Sequence, residues 1–317
     1  MLMVSIIMPT YGHEKFIRQA IESVLMQEVN FSYELLIGED ASPDRSKEII
    51  KEYEQRYPDK IKAFYRTENM NSNPEKYPWA NSGDLKLRSQ GKYLIVLEGD
   101  DFWTDPHKLQ CQVDFLEQNP AYIGVAHNVC VVGEKGENIA FPYPECREEE
   151  YTIHHFRSDI LPGQTASVLY RNFFLDRDTG QLKFVLDSTL GPGDDRTDFY
   201  LLSHGRIHCI QKQMSAYRYI ISHGSSFSAT NKRNVEKEWH HFESFMLYAY
   251  EEKLGKEFEV TGEVLFLRRL FFIWRRGDLS FREFLEGQKE ISHVGRTWFI
   301  YLGQIFRREI LRKKIYG

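Results

Sequence analysis

The sequence predicts an α/β fold: a mostly parallel, Rossmann-like sheet flanked by helices and followed by a helical C-terminal region. In the first 132 residues, short apolar runs alternate with stretches whose apolar residues recur at helical spacing. Clusters of polar residues stand directly after several of these apolar runs. From residue 234 onward the pattern is helical, which places a boundary near residue 230. We therefore expect one domain over residues 1–230, with halves 1–132 and 133–230, and a helical region over 231–317.

The elements follow from the same patterns. Buried strands are expected where four to eight apolar residues run together, at Val4–Met8, Tyr33–Gly38, Ile61–Tyr65, Tyr93–Leu97 and Ile123–Val132. Helices are expected at Glu14–Gln27, Ser46–Tyr57 and Lys108–Glu117. Loops are expected at 69–91, which begins with a polar stretch, and at 133–150, which is rich in Gly, Pro and charge. Short strands at Gln164–Tyr170 and Arg206–Ile210 bracket the segment around Asp194.

The composition narrows the class of protein. Of 317 residues, 42% are hydrophobic and 14% aromatic, which is enough for a sizeable core and argues against disorder. The net charge of −5 gives no nucleic-acid signature. The four cysteines form no CxxC pair, and no apolar run reaches the ~18 residues of a membrane span. We expect a cytoplasmic protein without a signal peptide, and we leave open its peripheral association with the inner face of the plasma membrane.

Three polar clusters follow predicted strands: Pro9-Thr10-Tyr11, Glu39-Asp40 and Glu98-Gly99-Asp100-Asp101. Ligands of open parallel sheets bind beyond the carboxyl ends of the strands, so these clusters should share one rim. Adjacent carboxylates repel each other unless a cation lies among them, and oxygen ligands suit Mg²⁺ or Mn²⁺. A solvated acidic turn is the alternative for the last cluster. No dinucleotide fingerprint or P-loop follows the first strand.

Longer motifs carry a resemblance to a known family: Val4-Ser5-Ile6-Ile7-Met8-Pro9-Thr10-Tyr11, Ser23-Val24-Leu25-Met26-Gln27, the segment 34–44, the segment 91–103, and Asp105-Pro106-His107-Lys108-Leu109. Together they resemble the family 2 inverting glycosyltransferases of the GT-A fold, the type that builds bacterial surface and capsular polysaccharides. The resemblance runs from about residue 3 to 130, and more loosely to about 228.

The resemblance implies a UDP-sugar or another nucleoside diphosphate sugar as donor. Thr10 and Tyr11 would flank the uracil, Pro9 would belong to the same donor-binding segment, and Asp40 would accept a hydrogen bond from the base. Glu39 stands where the family commonly has aspartate. The metal, Mn²⁺ or Mg²⁺, would bind Asp101 directly, with Asp100 reaching the ribose or the waters of the metal.

The second half should supply a catalytic base, because an inverting transfer needs a carboxylate near the acceptor hydroxyl. Asp194 and Asp195 precede an apolar helix, as an acidic pair does in the family, and the spacing to Gly205 favours Asp194. Helix N-capping is the alternative role for such residues. The resemblance also implies that Arg218 contacts phosphate and that His223 joins the metal site.

The region after residue 230 allows two interpretations. Its arginine pairs and aromatic residues are typical of amphipathic helices at anionic membranes, but also of a helical subdomain that packs its aromatics inside. The expected acceptor is a glycan or lipid-linked glycan. Two other functions stay open: a nucleotidyltransferase, and a non-catalytic, membrane-associated partner of a glycan assembly complex.

Overall fold

The computed structural model describes residues 2–139, 149–157, 164–175, 182–190, 193–220, 235–252, 254 and 256–316. The chain divides into two units. Unit 1 comprises Met1–Thr152, Leu161–Thr189 and Gly193–Asn231, and unit 2 comprises Ile153–Ile160, Leu190–Pro192 and Lys232–Gly317.

Unit 1 is built on one mixed sheet. The nine strands in the described part of the chain are β1 Val4–Thr10, β2 Tyr33–Glu39, β3 Ile61–Tyr65, β4 Tyr93–Val96, β5 Phe102–Trp103, β6 Tyr122–Val132, β7 Glu150–Tyr151, β8 Leu169–Arg171 and β9 Arg206–Arg218. Their order is β3-β2-β1-β4-β8-β6-β9-β5, and β7 pairs with β9. The predicted α/β fold is confirmed.

The first four strands form the parallel half of the sheet. β1 pairs with β2 on one side and with β4 on the other, so the direction in which the chain adds strands reverses at β1. The side chains of β1, β2 and β4 are almost all buried, which explains why apolar residues predominate in these segments. Such a reversal opens a crevice at the carboxyl ends of the strands, where ligands of α/β sheets bind.

The second half of the sheet contains antiparallel pairs. β8 lies antiparallel between β4 and β6, β6 and β9 are parallel, and β5 pairs antiparallel with β9. The predicted strand Gln164–Tyr170 begins instead as a 3-10 turn at Thr165–Ser167, and only its end enters β8. The predicted strand Arg206–Ile210 extends as β9 to Arg218.

The helices of unit 1 cover both faces of the sheet. They are α1 Ile17–Leu25, α2 Ser46–Arg56, α3 Ala80–Arg88, α4 Lys108–Gln118, α6 Leu182–Leu186 and α7 Gly193–His204. α1, α2 and α4 lie within or close to the predicted helices. α3 falls in a segment predicted to be a loop, because its buried side is formed by Asn81, Gly83, Leu85 and Lys86 rather than by an apolar stripe.

Unit 2 is helical. It contains α5 Ile153–Arg157, α8 Val235–Glu251, α9 Lys256–Arg275, α10 Phe281–Gly287 and α11 Val294–Tyr316. Its core is an aromatic cluster around Phe242, Phe266, Phe284 and Tyr301, so most aromatics of α9 are used for packing. In the described part of the chain, no helix is long and apolar enough to cross a membrane.

Candidate active site

The polar residues after β1, β2 and β4 meet at one rim, as predicted. Thr10 is paired with Glu39 in the β1–β2 register, and the N–H of Asp40 donates to the carbonyl of Thr10 at 2.9 Å. The N–H of Gly99 donates to the carbonyl of Pro9 at 3.2 Å. These bonds continue the strand pairing beyond the sheet and bring the three clusters together.

Asp40 is buried and organises the loop that follows β3. Its two carboxylate oxygens accept from the backbone N–H groups of Met70 at 2.8 Å and Asn71 at 3.4 Å. Burial raises the pKa of Asp40, and these two donors partly offset the rise. Glu39 is also buried, and its Oε1 accepts from the N–H of Ser42 at 2.6 Å. Its buried Oε2 has no hydrogen-bond partner in the described structure, so this oxygen can accept from a ligand.

Glu98, Asp100 and Asp101 form a compact acidic cluster beyond β4. One oxygen from each carboxylate lies within 4.8 Å of the others. Glu98 is exposed, Asp100 is half-buried and Asp101 is buried, so the cluster runs from solvent into the protein. Three oxygen donors at this spacing fit a hard divalent cation.

The charges in this cluster repel each other. The pKa of Glu98 is raised to about 8. Although the residue is open to solvent, protein atoms crowd its carboxyl group and displace water there, and the negative charges of Asp100 and Asp194 act in the same direction. Burial and the charges of Asp100 and Glu98 also raise the pKa of Asp101 well above its ordinary value. A divalent cation among these carboxylates would relieve both effects.

Asp101 is fixed by partners from the second half of unit 1. Its Oδ1 accepts from the N–H of Arg218 at 2.8 Å, and its Oδ2 accepts from Nε2 of Gln164 at 2.7 Å. Each carboxylate oxygen keeps a further lone pair that a metal ion can use. Gln164 carried no sequence signal, since it lies far from the acidic motif along the chain.

Arg218 positions the acidic motif through hydrogen bonds. Its guanidinium donates to the carbonyls of Asp100, Gly133 and Glu134 and to Oε1 of Gln19, at 2.8–2.9 Å. Arg218 is buried, and most of its five N–H groups serve these acceptors. The geometry therefore assigns Arg218 a positioning task, and its predicted phosphate contact remains a prediction.

His13 is a rim residue that the sequence analysis passed over. Its Nε2 lies 3.8 Å from Oδ2 of Asp100. The ideal Cβ of any residue replacing Gly99 would lie 2.7 Å from both His13 Nδ1 and Thr10 Oγ1, so only glycine fits there. The position of His13 just after the first strand was the available sequence signal.

The candidate bases lie in the first turn of α7. Asp194 is exposed, and its Oδ1 accepts from the N–H of Asp195 at 2.9 Å. Asp194 lies close enough to Glu98 to contribute to the raised pKa of that carboxyl. It also acts on Lys86, a buried lysine of α3 whose Nζ lies 3.4 Å from Oγ1 of Thr197. The structure thus brings Asp194 to the acidic cluster, while His223, the remaining predicted metal ligand, lies outside the described residues.

Comparisons with known proteins agree with this architecture. Residues 5–73 match the family model described as glycosyl transferase family 2. An uncharacterized protein of Mycobacterium tuberculosis, Rv1520, is 34% identical over 168 residues, 53% of this chain and 46% of that protein. The Bacillus subtilis protein TuaG, named a putative teichuronic acid biosynthesis glycosyltransferase, is 32% identical over 114 residues, 36% of this chain and 42% of that protein. The chain thus spans less than half the length of these curated relatives.

A solved structure shares the fold over most of the chain. The crystal structure of S. aureus TarS 1-349 in complex with UDP-GlcNAc superposes with a TM-score of 0.67 and 16% identity, covering 92% of this chain and 81% of that one. The family match covers the first quarter of the chain, and the structural likeness shows the fold alone. Residues 5–73 thus carry a sequence match to glycosyl transferase family 2, and the shared architecture confirms the predicted GT-A fold.

Proposed function

We propose that the protein transfers a sugar from a UDP-sugar, or another nucleoside diphosphate sugar, to a hydroxyl of a glycan or lipid-linked glycan, with inversion. The observation that supports the proposal most is the compact acidic cluster at the carboxyl ends of the parallel strands, near enough to Asp194 for the charge of Asp194 to act on Glu98. TarS, which shares the fold, was crystallised with UDP-GlcNAc and with UDP. The name of TuaG supports an acceptor in cell-wall polymer synthesis.

Glu98, Asp100 and Asp101 would hold Mn²⁺ or Mg²⁺, since their oxygens are close together and their repulsion calls for a cation. His223 is kept as a proposed further ligand. When bound, the ion would neutralise charge that develops on the departing diphosphate. On the donor side, Pro9, Thr10, Tyr11, Glu39 and Asp40 would bind the base, with Asp100 near the ribose.

Asp194 would act as the general base. It would take the proton of the acceptor hydroxyl while the hydroxyl oxygen bonds to the anomeric carbon and the carbon–oxygen bond to the diphosphate breaks. The nucleoside diphosphate leaves, and attack from the opposite side inverts the anomeric centre. The N–H of Asp195 would hold the carboxylate of Asp194 in place for this proton transfer.

The test is nucleotide release by the full chain from a panel of UDP-sugars with Mn²⁺ or Mg²⁺ and polyol-phosphate or glycan acceptors. Asp194→Asn is compared with the matched neighbour Asp195→Asn. We expect UDP release that falls about 10²–10⁴-fold in Asp194→Asn, with UDP affinity unchanged, and a much smaller loss in Asp195→Asn. Release of pyrophosphate would indicate a nucleotidyltransferase, and UDP binding without release would favour the non-catalytic partner.

The metal is tested separately by titrating Mn²⁺ in the presence of UDP, with detection by electron paramagnetic resonance. Glu98→Gln suits this test because Glu98 is exposed, whereas Asp101 is tied to Arg218 and Gln164. We expect Mn²⁺ affinity to fall at least about tenfold in Glu98→Gln. Equal Mn²⁺ binding in both proteins would remove Glu98 from the ligand set, and UDP release without any divalent ion would end the metal part of the proposal.

A further inference from the structure

α11 has two sides of different character. Thr297 and Tyr301, four residues apart, are buried, and Tyr301 belongs to the aromatic core of unit 2. Phe299 is 80% exposed and Leu302 is 55% exposed. At about 100° per residue, Phe299 and Leu302 point away from the side that carries Thr297 and Tyr301. The helix therefore carries apolar side chains on the side that faces solvent.

Phe299 and Leu302 lie three residues apart and are therefore neighbours on this side of the helix. Ile305, which is 37% exposed, follows Tyr301 by four residues and so borders the packed side. In the sequence, apolar residues recur seven and eleven positions after Phe299, as Phe306 and Ile310. Single apolar residues on a protein surface are ordinary, but a contiguous apolar strip marks an interaction site.

The charge of the same segment indicates what covers this strip. Residues 294–317 contain six basic residues and one acidic residue, a formal charge of +5 in a chain whose net charge is −5. The basic residues are Arg296, Arg307, Arg308, Arg312, Lys313 and Lys314. A second copy that docked with its own α11 parallel to this one would bring this positive segment against its positive counterpart. An anionic lipid surface complements both the charge and the apolar strip.

We propose that α11 docks on an anionic lipid bilayer, with Phe299 and Leu302 inserted at the level of the headgroups and the basic residues of the segment facing the lipid phosphates. Long basic side chains can reach the headgroups while the helix lies in the plane of the interface. This mode of binding needs no membrane-spanning helix. It is also independent of the proposed sugar transfer, because none of these residues belongs to the donor site.

The test is sedimentation of the full chain with large vesicles of phosphatidylcholine alone, or of phosphatidylcholine with 30% phosphatidylglycerol. The double variant Phe299→Ser/Leu302→Ser is compared with wild type. The matched control is Leu247→Ser, which changes a leucine of α8 that is 59% exposed. Circular dichroism and thermal unfolding check that the variants fold, as expected for exposed positions.

We expect binding to the anionic vesicles only, weakened by high salt, with a partition coefficient about 100-fold lower in the double variant and unchanged in Leu247→Ser. Arg296→Gln should lower the coefficient about fivefold. Three results would overturn the proposal: no binding by wild type, equal binding to neutral vesicles, or equal binding by the double variant. A wild-type dimer that the double variant converts to monomer would instead make a second copy the occupant.

Discussion

Replacing Lys86 with methionine should stabilise the protein at neutral pH. The ammonium group of Lys86 is buried, with 6% of the residue exposed, 3.4 Å from Thr197 Oγ1 and 5.9 Å from the centre of the Phe174 ring. Burial, helped by the positive charge of Arg196, lowers its pKa to about 8, although Asp194 and Asp198 act in the opposite direction. A charged lysine in this position therefore costs free energy of folding.

The size of this cost follows from the pKa. A drop from 10.5 to about 8 corresponds to about 3 kcal/mol at ~1.36 kcal/mol per unit. Below pH 8 both the folded and the unfolded chain carry the proton, so the folded protein bears the whole cost. Between pH 8 and 10.5 the unfolded chain binds more protons, and wild-type stability rises with pH. Methionine is slightly smaller than lysine and leaves a small gap, so we expect a net gain of about 2 kcal/mol at pH 7.

The assay is urea unfolding of wild type and Lys86→Met, followed by circular dichroism from pH 7 to 10.5. The gain should fall by about 3 kcal/mol over this range, so that wild type becomes slightly more stable than Lys86→Met near pH 10.5. Lys183→Met, a change at an exposed lysine of α6, is the control and should stay within about 0.5 kcal/mol at every pH. The reasoning fails if Lys86→Met is less stable than wild type at pH 7, or if its gain is the same at pH 7 and pH 10.5. Because the cation lies near Asp194, we also expect Lys86→Met to lower the rate of the proposed transfer while UDP affinity is kept.

Further substitutions test the packing of each unit. In Gly38→Ala the new Cβ would lie 2.2 Å from Oδ1 of Asn81. The Nδ2 of Asn81 also donates to the Gly38 carbonyl at 2.7 Å, so the side chain cannot move away without losing this bond. We therefore expect the free energy of unfolding to fall by about 2 kcal/mol and UDP binding, measured by calorimetry, to weaken. A Gly38→Ala protein with wild-type melting temperature would contradict this close approach. Gly303→Ala places its Cβ in open space on α11 and should raise the melting temperature through a gain of about 0.5–1 kcal/mol. Gly262→Ala on α9 meets Phe242 Cε2 at 3.0 Å and should cancel that helix-propensity gain, so equal shifts for the two glycines would refute the packing argument.

The parallel half of unit 1 could be predicted from sequence because each of its strands is short, apolar and followed by polar residues. β1, β2 and β4 are covered on both faces, so most of their positions are apolar and the pattern is plain, although Ser5 and Glu34 are also buried there. β5 and β8 have only two and three residues, too few for any periodicity, and their antiparallel pairing was therefore not foreseen. α3 was not predicted because it packs through a glycine and polar side chains, which give no apolar pattern.

Among the site residues, those at strand ends could be predicted and those held by long-range contacts could not. The rim of Thr10, Glu39 and Asp101 could be predicted because strand ends gather at one edge of a parallel sheet. The partners of Arg218 could not, since its guanidinium reaches carbonyls 84 to 118 residues away and a side chain 199 residues away. A phosphate contact and a backbone clamp require the same residue type, so sequence alone cannot distinguish them.

The acidic cluster owes its geometry to the second half of the sheet. β5, which directly follows Asp101, pairs with β9, and β9 ends at Arg218, whose N–H binds Asp101. Gln164 holds the other oxygen of Asp101 from 63 residues away. The residues that fix the candidate metal ligands thus lie outside the first 132 residues, which contain most of the family motifs. Because a buried carboxylate with a raised pKa stays in place only while its hydrogen bonds persist, residues 1–132 alone should not form a competent donor site, and the two halves of unit 1 must fold together to bind the donor.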